Sequence, residues 1–594
     1  MKQARKHIFS FLVFLFCNLF GFGQTPHEDH LKKTDSLISA EAFQEALRFV
    51  NTNIETLIAS KNYYESTDYI YYLGKITSKI KSNQEGEAAV LKFSNRLYKE
   101  TQDPKALRQL HLETGSFYEY LGKPQLAIEQ NLKALEFTNK MPDKNGQLVG
   151  LIYNNIGVFY SNMGNIQKAS QYHKKAIEAY TSYEKTDKEQ YYITYNSLGA
   201  MMWYSSKIDS ALFYYKEAEK VLSQLEKNPK NQYYRPATLN NNMAAVHSIL
   251  GDIDASIDAM QLTVSYLNSY IKEDIAEVHK DAGKEFLFQA IENLGGIYKD
   301  MGNFQKAKDI LYYAFEQKQK HFSPDSPEIA KGKILLGQIE LALKNFDKAH
   351  AHLTDGISQI ESTSNNDFWL ADAHNYLASI YIERGDIETA KACFEKSECY
   401  YKTALGEYYD EIYLDFIVNA SHFYAQNGYG DKALELSEKA HQYIIENQGK
   451  KTLLEYAQVV NLAEINYELG HYQTALNKST EALTLLKDST FAHTNSLGKL
   501  QITASKPEAI LVKVKSELML KNEKDTPFIK KKYEELLEAI AIIEQEKTLL
   551  THDSGINILL ANNTEVFEQT KKLALELYNT SQDKSYLDKL LSLH

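Results

Sequence analysis

Cysteine is nearly missing, with three in 594 residues. Cys17 lies in an N-terminal apolar run, which leaves Cys393 and Cys399. Six residues apart on one helix, they would sit about 9 Å apart along its axis, beyond the reach of a disulfide. No disulfide framework is expected, and both read as small buried hydrophobes. Basic stretches are missing too. Lys and Arg number 66 against 78 Asp and Glu, for a formal charge of −12, and the 42 Tyr are spread out rather than clustered with Arg. An acidic chain without a basic stripe excludes nucleic acid and anionic membrane surfaces as expected partners. After the first 23 residues no apolar run is long enough to span a bilayer. Gly and Pro are sparse between the repeated motifs described below, so the array reads as one solenoid; Lys487 to Lys506, rich in Ser, Thr, Asn and Gly and followed by Pro507, marks a boundary after it.

The signatures of catalysis are missing as well. There is no Walker-type phosphate loop, HExxH helix, paired CxxC or GxSxG elbow. His350 and His352 are two apart on a helix and point to different sides. His111, His173, His247, His374 and His422 each fall in a different repeat, as packed or half-exposed side chains. His27-Glu28-Asp29-His30 has the residue types of a metal cluster but the position of a solvated, frayed end. Carboxylates are evenly spread and usually lie near a Lys, as on a solvated helix face. The expectation is a protein that is not an enzyme and holds no cofactor and no metal.

What is present is a repeat. Asn154 to Ala176 carries Gly157, Tyr160, Gly164, Ala169 and Ala176: a small residue, an aromatic at plus three, Gly at plus seven, and Ala at plus twelve and plus nineteen. The plus-twelve residue recurs as Ala127, Ala169, Ala211, Ser256, Ala307, Ala349, Ala390, Ala433 and Ala475, at gaps of 42, 42, 45, 51, 42, 41, 43 and 42. The leading column runs Gly115, Gly157, Gly199, Ala244, Gly295, Gly337, Ala378, Ser421 and Ala463, with no large side chain. Small residues let two helices approach closely. Gly at plus seven ends the first helix in a left-handed turn. Ser206 and Lys344 replace it, so those turns should differ. Apolar residues between these positions follow a helical period. Each copy is therefore a helix hairpin whose apolar face only its neighbours cover.

These columns resemble the tetratricopeptide repeat family over roughly Arg108 to Lys487. The usual unit there is 34 residues. The longer unit here, with Asn155, Asn242, Asn293, Asn419 and Asn461 two before the small residue, resembles the subclass found in kinesin light chains and in many bacterial scaffold and signalling proteins. The resemblance implies an all-α fold, a right-handed α-solenoid of about nine to eleven hairpins with helical caps.

Four regions are expected. Residues 1–23 have a basic start (Lys2, Arg5, Lys6), the apolar run Ile8 to Phe16 and small residues before Gln24. That pattern reads as an export signal cleaved after Gly23. A membrane anchor is the alternative, but the run is about half the ~20 residues a span needs. Lipidation at Cys17 is disfavoured by Phe16. Cleavage would take the formal charge from −12 to about −15 and leave the protein in the periplasm, at the outer surface or secreted. Residues 24–106 read as a helical cap with one degenerate repeat around Ile70, Leu73, Gly74, Ile76, Ala88 and Ala89. Residues 107–487 are the array, in which the extra stretch Ile271 to Lys284 should lengthen a second helix and its loop. Residues 488–594 form a helical tail, with Phe528 to Thr551, Asn563 to Asn579 and Lys584 to His594 as helices. From Phe528 onward it is similar to the helices that join such repeats to a caspase-like CHAT domain.

In this family first helices line a concave surface, so the resemblance implies that Asn155, Ser197, Asn242, Asn293, Asn419 and Asn461 form a row facing a bound peptide. An amide offers both a donor and an acceptor. Asn154, Asn196, Asn241 and Asn375 would add polar surface, and Trp203 and Tyr204 aromatic area. Leu335 and Tyr376 interrupt the row. The competing use of these amides is to bond neighbouring helices and hold the stack. The expected function is an exported scaffold that binds a protein or peptide segment in its groove. The alternative is the regulatory half of a CHAT-type protease whose catalytic domain lies elsewhere.

Overall fold

The computed structural model describes residues 26–141, 145–205, 207–249, 252–363, 366–406, 409–448, 453–486, 506–548, 556, 559–561 and 563–592. The expected export signal, Ser206 and nearly all of the stretch before Pro507 lie outside these residues. Every regular element among the described residues is helical. The described residues up to Met201 group into one compact unit and those from Met202 onward into another.

The first unit runs through α1 (Pro26–Ser39), α2 (Phe43–Ala59), α3 (Tyr63–Thr67), α4 (Ile70–Ile80), α5 (Asn83–Glu100), α6 (Pro104–Tyr120), α7 (Pro124–Asn139), α8 (Gly146–Asn162) and α9 (Ile166–Thr181). Most of α10 (Lys188–Tyr204) also belongs to it. The second unit continues with α11 (Ile208–Leu222), a π-helical turn (Lys230–Tyr234), α12 (Arg235–Ile249), α13 (Ile253–Tyr270), α14 (Glu277–Asp300), α15 (Phe304–His321), α16 (Pro327–Ala342) and α17 (Phe346–Thr363). Next come α18 (Asp367–Glu383), α19 (Ile387–Leu405), α20 (Glu411–Gln426), α21 (Gly430–Tyr443), a second π turn (Ile444–Gln448), α22 (Leu453–Glu468) and α23 (Tyr472–Leu485). The tail is α24 (Lys506–Leu520), α25 (Thr526–Lys547), α26 (Thr564–Ser581) and α27 (Lys584–Ser592).

The periodic columns explain the hairpins. Ala127, Ala169, Ala211, Ala307, Ala349, Ala390, Ala433 and Ala475 are all fully buried. The space above Gly115, Gly157, Gly295 and Gly337 is taken by the side chain sixteen residues on. A Cβ on Gly157 would meet the His173 ring at 2.8 Å, one on Gly295 Leu311 at 2.8 Å, and one on Gly337 Leu353 at 2.6 Å. At Ser421 and Ala463 the residue sixteen on is small instead, Ser437 and Ser479, both fully buried. Hydroxyls in the small columns bond the partner helix's backbone: Ser256 Oγ donates to the Ala244 carbonyl (2.8 Å) and Ser397 Oγ to that of Ala371 (2.7 Å). A buried hydroxyl is thereby satisfied at no cost in separation.

The turn carries a signal beyond its glycine. Gly164, Gly302 and Gly385 have positive φ, and the next residue caps the second helix: Asn165, Asn303 and Asp386 each accept from a backbone N–H three residues on. Lys344 breaks the sequence pattern but not the geometry. Its φ is +60°, and Asn345 N–H still donates to the Glu340 carbonyl at 2.8 Å, as Asn165 does to Tyr160. The expected difference in that turn does not occur, because the helix-closing bonds hold the backbone left-handed.

Two further corrections concern lengths and ends. The extra residues near 271–284 lengthen the first helix of the next hairpin, α14, to 24 residues. The added turns carry Lys280–Glu277 and Lys284–Asp281 pairs. Gly283 lets this extension lie against Tyr270 and Ile271 at the end of α13. At the N-terminus His27 is pinned rather than frayed: Nε2 is 2.9 Å from Asp68 Oδ2, and its ring is edge-on to Tyr69.

Candidate functional site: a groove on the first helices

Along α14 the positions minus six, minus three, plus one and plus four from Gly295 form one helical face: Gln289, Glu292, Gly296 and Lys299. All four line a groove in the second unit, with Asn293 beside them. The facing walls are Leu335 and Gln338 of α16, Phe368, Trp369 and Asp372 of α18, and Ile412 of α20. Leu311 of α15 closes the floor. Apart from Leu311 these residues come from first helices or their opening turns.

The residues that open on the groove also stitch adjacent first helices together. Gln338 Nε2 donates to Asp372 Oδ2 at 2.7 Å, tying α16 to α18. Asn293 Nδ2 donates to Asn241 Oδ1 at 3.2 Å, tying α14 to α12. Farther along, His422 of α20 lies 3.0 Å from Glu468 and 3.2 Å from Glu464 of α22. Burial works against a charge on His422, but the two carboxylates outweigh it and raise its pKa to about 9.

The groove is electrostatically structured. Glu292 takes the ammonium of Lys318 at 2.6 Å, and that ammonium also reaches Glu328 at 3.1 Å. Burial pushes the Glu292 carboxyl above its usual range, and Lys318 opposes the shift. Lys331 pairs with Glu328 and lies 5.9 Å from the Trp369 ring centroid. Trp369 is half-buried, with the Phe368 ring edge-on to it at 6.5 Å. Tyr376, on the same helix, has its phenol driven well above the usual value, first by burial and then by Asp372, Asp300 and Asp415.

The sequence-derived site residues fall into two classes. Asn293 lines the groove, while Asn155, Asn196, Asn375 and Asn419 are half-buried. Asn154 (4% exposed), Asn241 (1%), Asn242 (4%) and Asn461 (2%) are enclosed. Asn154 Oδ1 accepts from His173 Nδ1 (2.9 Å) and Thr194 Oγ1 (3.1 Å), and Asn461 Nδ2 donates to Ser437 (3.0 Å). Trp203 is 8% exposed and edge-on to Tyr204. The sequence reading missed Gln289, Glu292, Gln338, Trp369 and Asp372. Following the three-four period of the first helix from the leading small residue, rather than the recurring Asn, would have found the face they share. Two further histidines are internal: His173 is held at a pKa of about 3 by burial, and His374, stacked on Tyr400, at about 4. Among the described residues no group of three or more His, Cys, Asp or Glu is placed to hold a metal. No described helix is long and apolar enough to cross a membrane.

Comparison with known proteins bears directly on the repeats. Residues 148–224 and 371–398 match two family models, both described as tetratricopeptide repeat. Both matches fall on the repeated columns. The chain is a tetratricopeptide-repeat protein. No curated protein sequence matches it. Similar solved structures include the nearly identical TPR-like repeats of a Podosopora anserina protein assigned as a kinesin light chain (17% identity, 35% of this chain, 97% of that one, TM-score 0.30). BtubC (BKLC) from P. vanneervenii is 18% identical over 41% of this chain and 94% of its own, at a TM-score of 0.34. A Rap protein complexed with competence and sporulation factor is 14% identical over 64% and 98%, at 0.39. At these values the tetratricopeptide-repeat structures bring no partner or activity to this chain.

Proposed function

We propose that this tetratricopeptide-repeat protein is a non-catalytic scaffold that binds an extended protein segment in the groove between α14 and α20. The observation that carries the reading is the composition of that groove. An aromatic pair, Phe368 and Trp369, stands beside exposed Gln289 and the amides of Asn293 and Gln338. Aromatic side chains supply anchoring area, and amides hold a peptide backbone without demanding one side chain. Within the same unit, the half-buried amides of Asn375 on α18 and Asn419 on α20 add polar groups to the first helices. The export signal read in residues 1–23 supports a role outside the cytoplasm.

The test is selection of peptides from a displayed random library against the purified protein, followed by titration against variants. Trp369→Ala and Gln289→Ala are expected to weaken the selected peptides roughly tenfold or more. Leu91→Ala, at an exposed position on α5, is expected to leave them unchanged. Peptides that bind all three variants equally would place the binding surface elsewhere.

A further inference from the structure

The row of amides on the first helices is interrupted at Leu335 and Tyr376, and Leu335 lines the groove. It stands two before the leading Gly337, where Asn155, Asn242, Asn293, Asn419 and Asn461 stand in their own repeats. Its side chain is half-buried, at the edge of a core cluster built by Ala307 and Leu311 of α15 with Leu336 and Ile339 of α16. In the same groove Phe368, Trp369 and Ile412 are half-buried at the edge of a second core cluster, which reaches from α16 to α22. Trp369 and Ile412 hold one register position, nine before the leading small residues of α18 and α20. Four partly exposed apolar side chains from three successive first helices thus open on one cavity of about 110 Å³, with buried Leu311 in its floor. Glu292 is paired with Lys318 at 2.6 Å and Asp372 accepts from the Gln338 amide at 2.7 Å, so neither carboxylate stands free for a charged guest.

We infer that the segment bound in this groove inserts one aliphatic side chain, of leucine, isoleucine or methionine size, against Leu335, and that Leu335 selects it. The inference rests on the groove reading above and adds the chemistry of the occupant. An apolar cavity of about 150 Å³ holds a benzene ring, so the smaller space here suits an aliphatic side chain better than an indole. Covering the edges of both clusters removes apolar surface from water, and a buried anchor in a pocket is where binding energy concentrates. A charged or amide side chain in the same place would give up water against apolar walls, a cost that only a new polar partner offsets. Asn at this position, as in the other repeats, would supply such a partner through its donor and acceptor. Leu335 therefore decides between the two classes of guest.

Random displayed decapeptides selected on the full chain, then synthesised and titrated, test this. The expected outcome is enrichment of Leu, Ile or Met at one position of the selected peptides over the input library. Replacing that residue by asparagine, of similar size but polar, should weaken binding to the unaltered protein roughly tenfold or more. Leu335→Asn should weaken the parent peptide by a similar factor and leave the peptide's own replacement with little further effect, because the two changes remove one contact. Leu335→Ala reads the same coupling by truncation should the Asn variant fail to fold. Peptides that depend on Trp369 but whose critical residues are charged, polar or aromatic would overturn the anchor inference and leave the groove reading standing. So would an asparagine swap whose cost is the same on the unaltered protein and on the Leu335 variants. Selected peptides indifferent to Trp369→Ala would overturn both.

Discussion

His422 shows how one residue sets a joint between repeats. Its ring sits between Glu464 and Glu468 of the next first helix, and Gln426 donates to the same Glu468 oxygen at 3.0 Å. Folded, it keeps its proton to about pH 9; in the unfolded chain it loses it near 6.5. Between those values the folded state holds more protons than the unfolded one. The stabilisation is therefore complete below pH 6.5 and is lost as the pH rises through 9. Urea midpoints at pH 6, 7.5 and 9 should fall by the equivalent of about 1–3 kcal/mol. In His422→Gln the fall should be shallower but still present, because burial raises Glu113 to about 8, which titrates in the same direction. A pH-independent midpoint in the unaltered protein would remove the His422 joint from the account. At Lys344 the argument concerns the backbone. A side chain at φ +60° costs about 1 kcal/mol relative to Gly, so Lys344→Gly should raise the urea midpoint by about that amount. Ala169, fully buried where α9 meets α8, tolerates no enlargement, and Ala169→Leu should cost about 1–3 kcal/mol.

At the scale of the helix hairpin, what the sequence disclosed depended on whether the small columns were filled by Gly and Ala. From α6 to α23 nearly all of them are, and the repeat could be read by spacing alone. In α4–α5 the sequence points to Gly74, Ala88 and Ala89 as the small residues. Gly86, twelve residues on from Gly74, is its partner, and both glycines pack near Phe117. In α1–α2 the pattern is hidden altogether. Thr34 and Ala46, also twelve apart, are fully buried, and Glu41 takes the left-handed turn at φ +54° where Gly would have announced it. A hydroxyl that bonds its own helix, as Thr34 does to the His30 carbonyl, fills a small position without looking like one. The candidate site was less legible. Adjacent Asn residues such as Asn154 and Asn155 read alike in a sequence, but a 100° rotation separates them on the helix. Asn154→Ala strands the buried His173 and Thr194 donors and should cost about 1–3 kcal/mol. Asn155→Ala, at a half-buried position, should stay within about 0.5 kcal/mol. Equal losses in thermal unfolding would erase the distinction between the two columns.

At the scale of the whole molecule, the repeat makes stability local and recognition extended. Each hairpin is covered by its neighbours, so the energy of the array is close to a sum of hairpin and interface terms. The bonds between successive first helices, Asn293 to Asn241 and Gln338 to Asp372, belong to those interface terms while lying at the groove. A rigid, pre-formed wall lowers the ordering cost of binding a flexible segment. The central claim is that such a segment lies along the α14–α20 face. Photo-crosslinking tests it most directly: a selected peptide carrying a photoreactive residue is irradiated on the unaltered protein, and the adducts are located by mass spectrometry. The account predicts adducts on Gln289, Gln338, Phe368, Trp369 and their immediate neighbours. Adducts concentrated on the second helices, at exposed positions such as Tyr313 of α15, would contradict it.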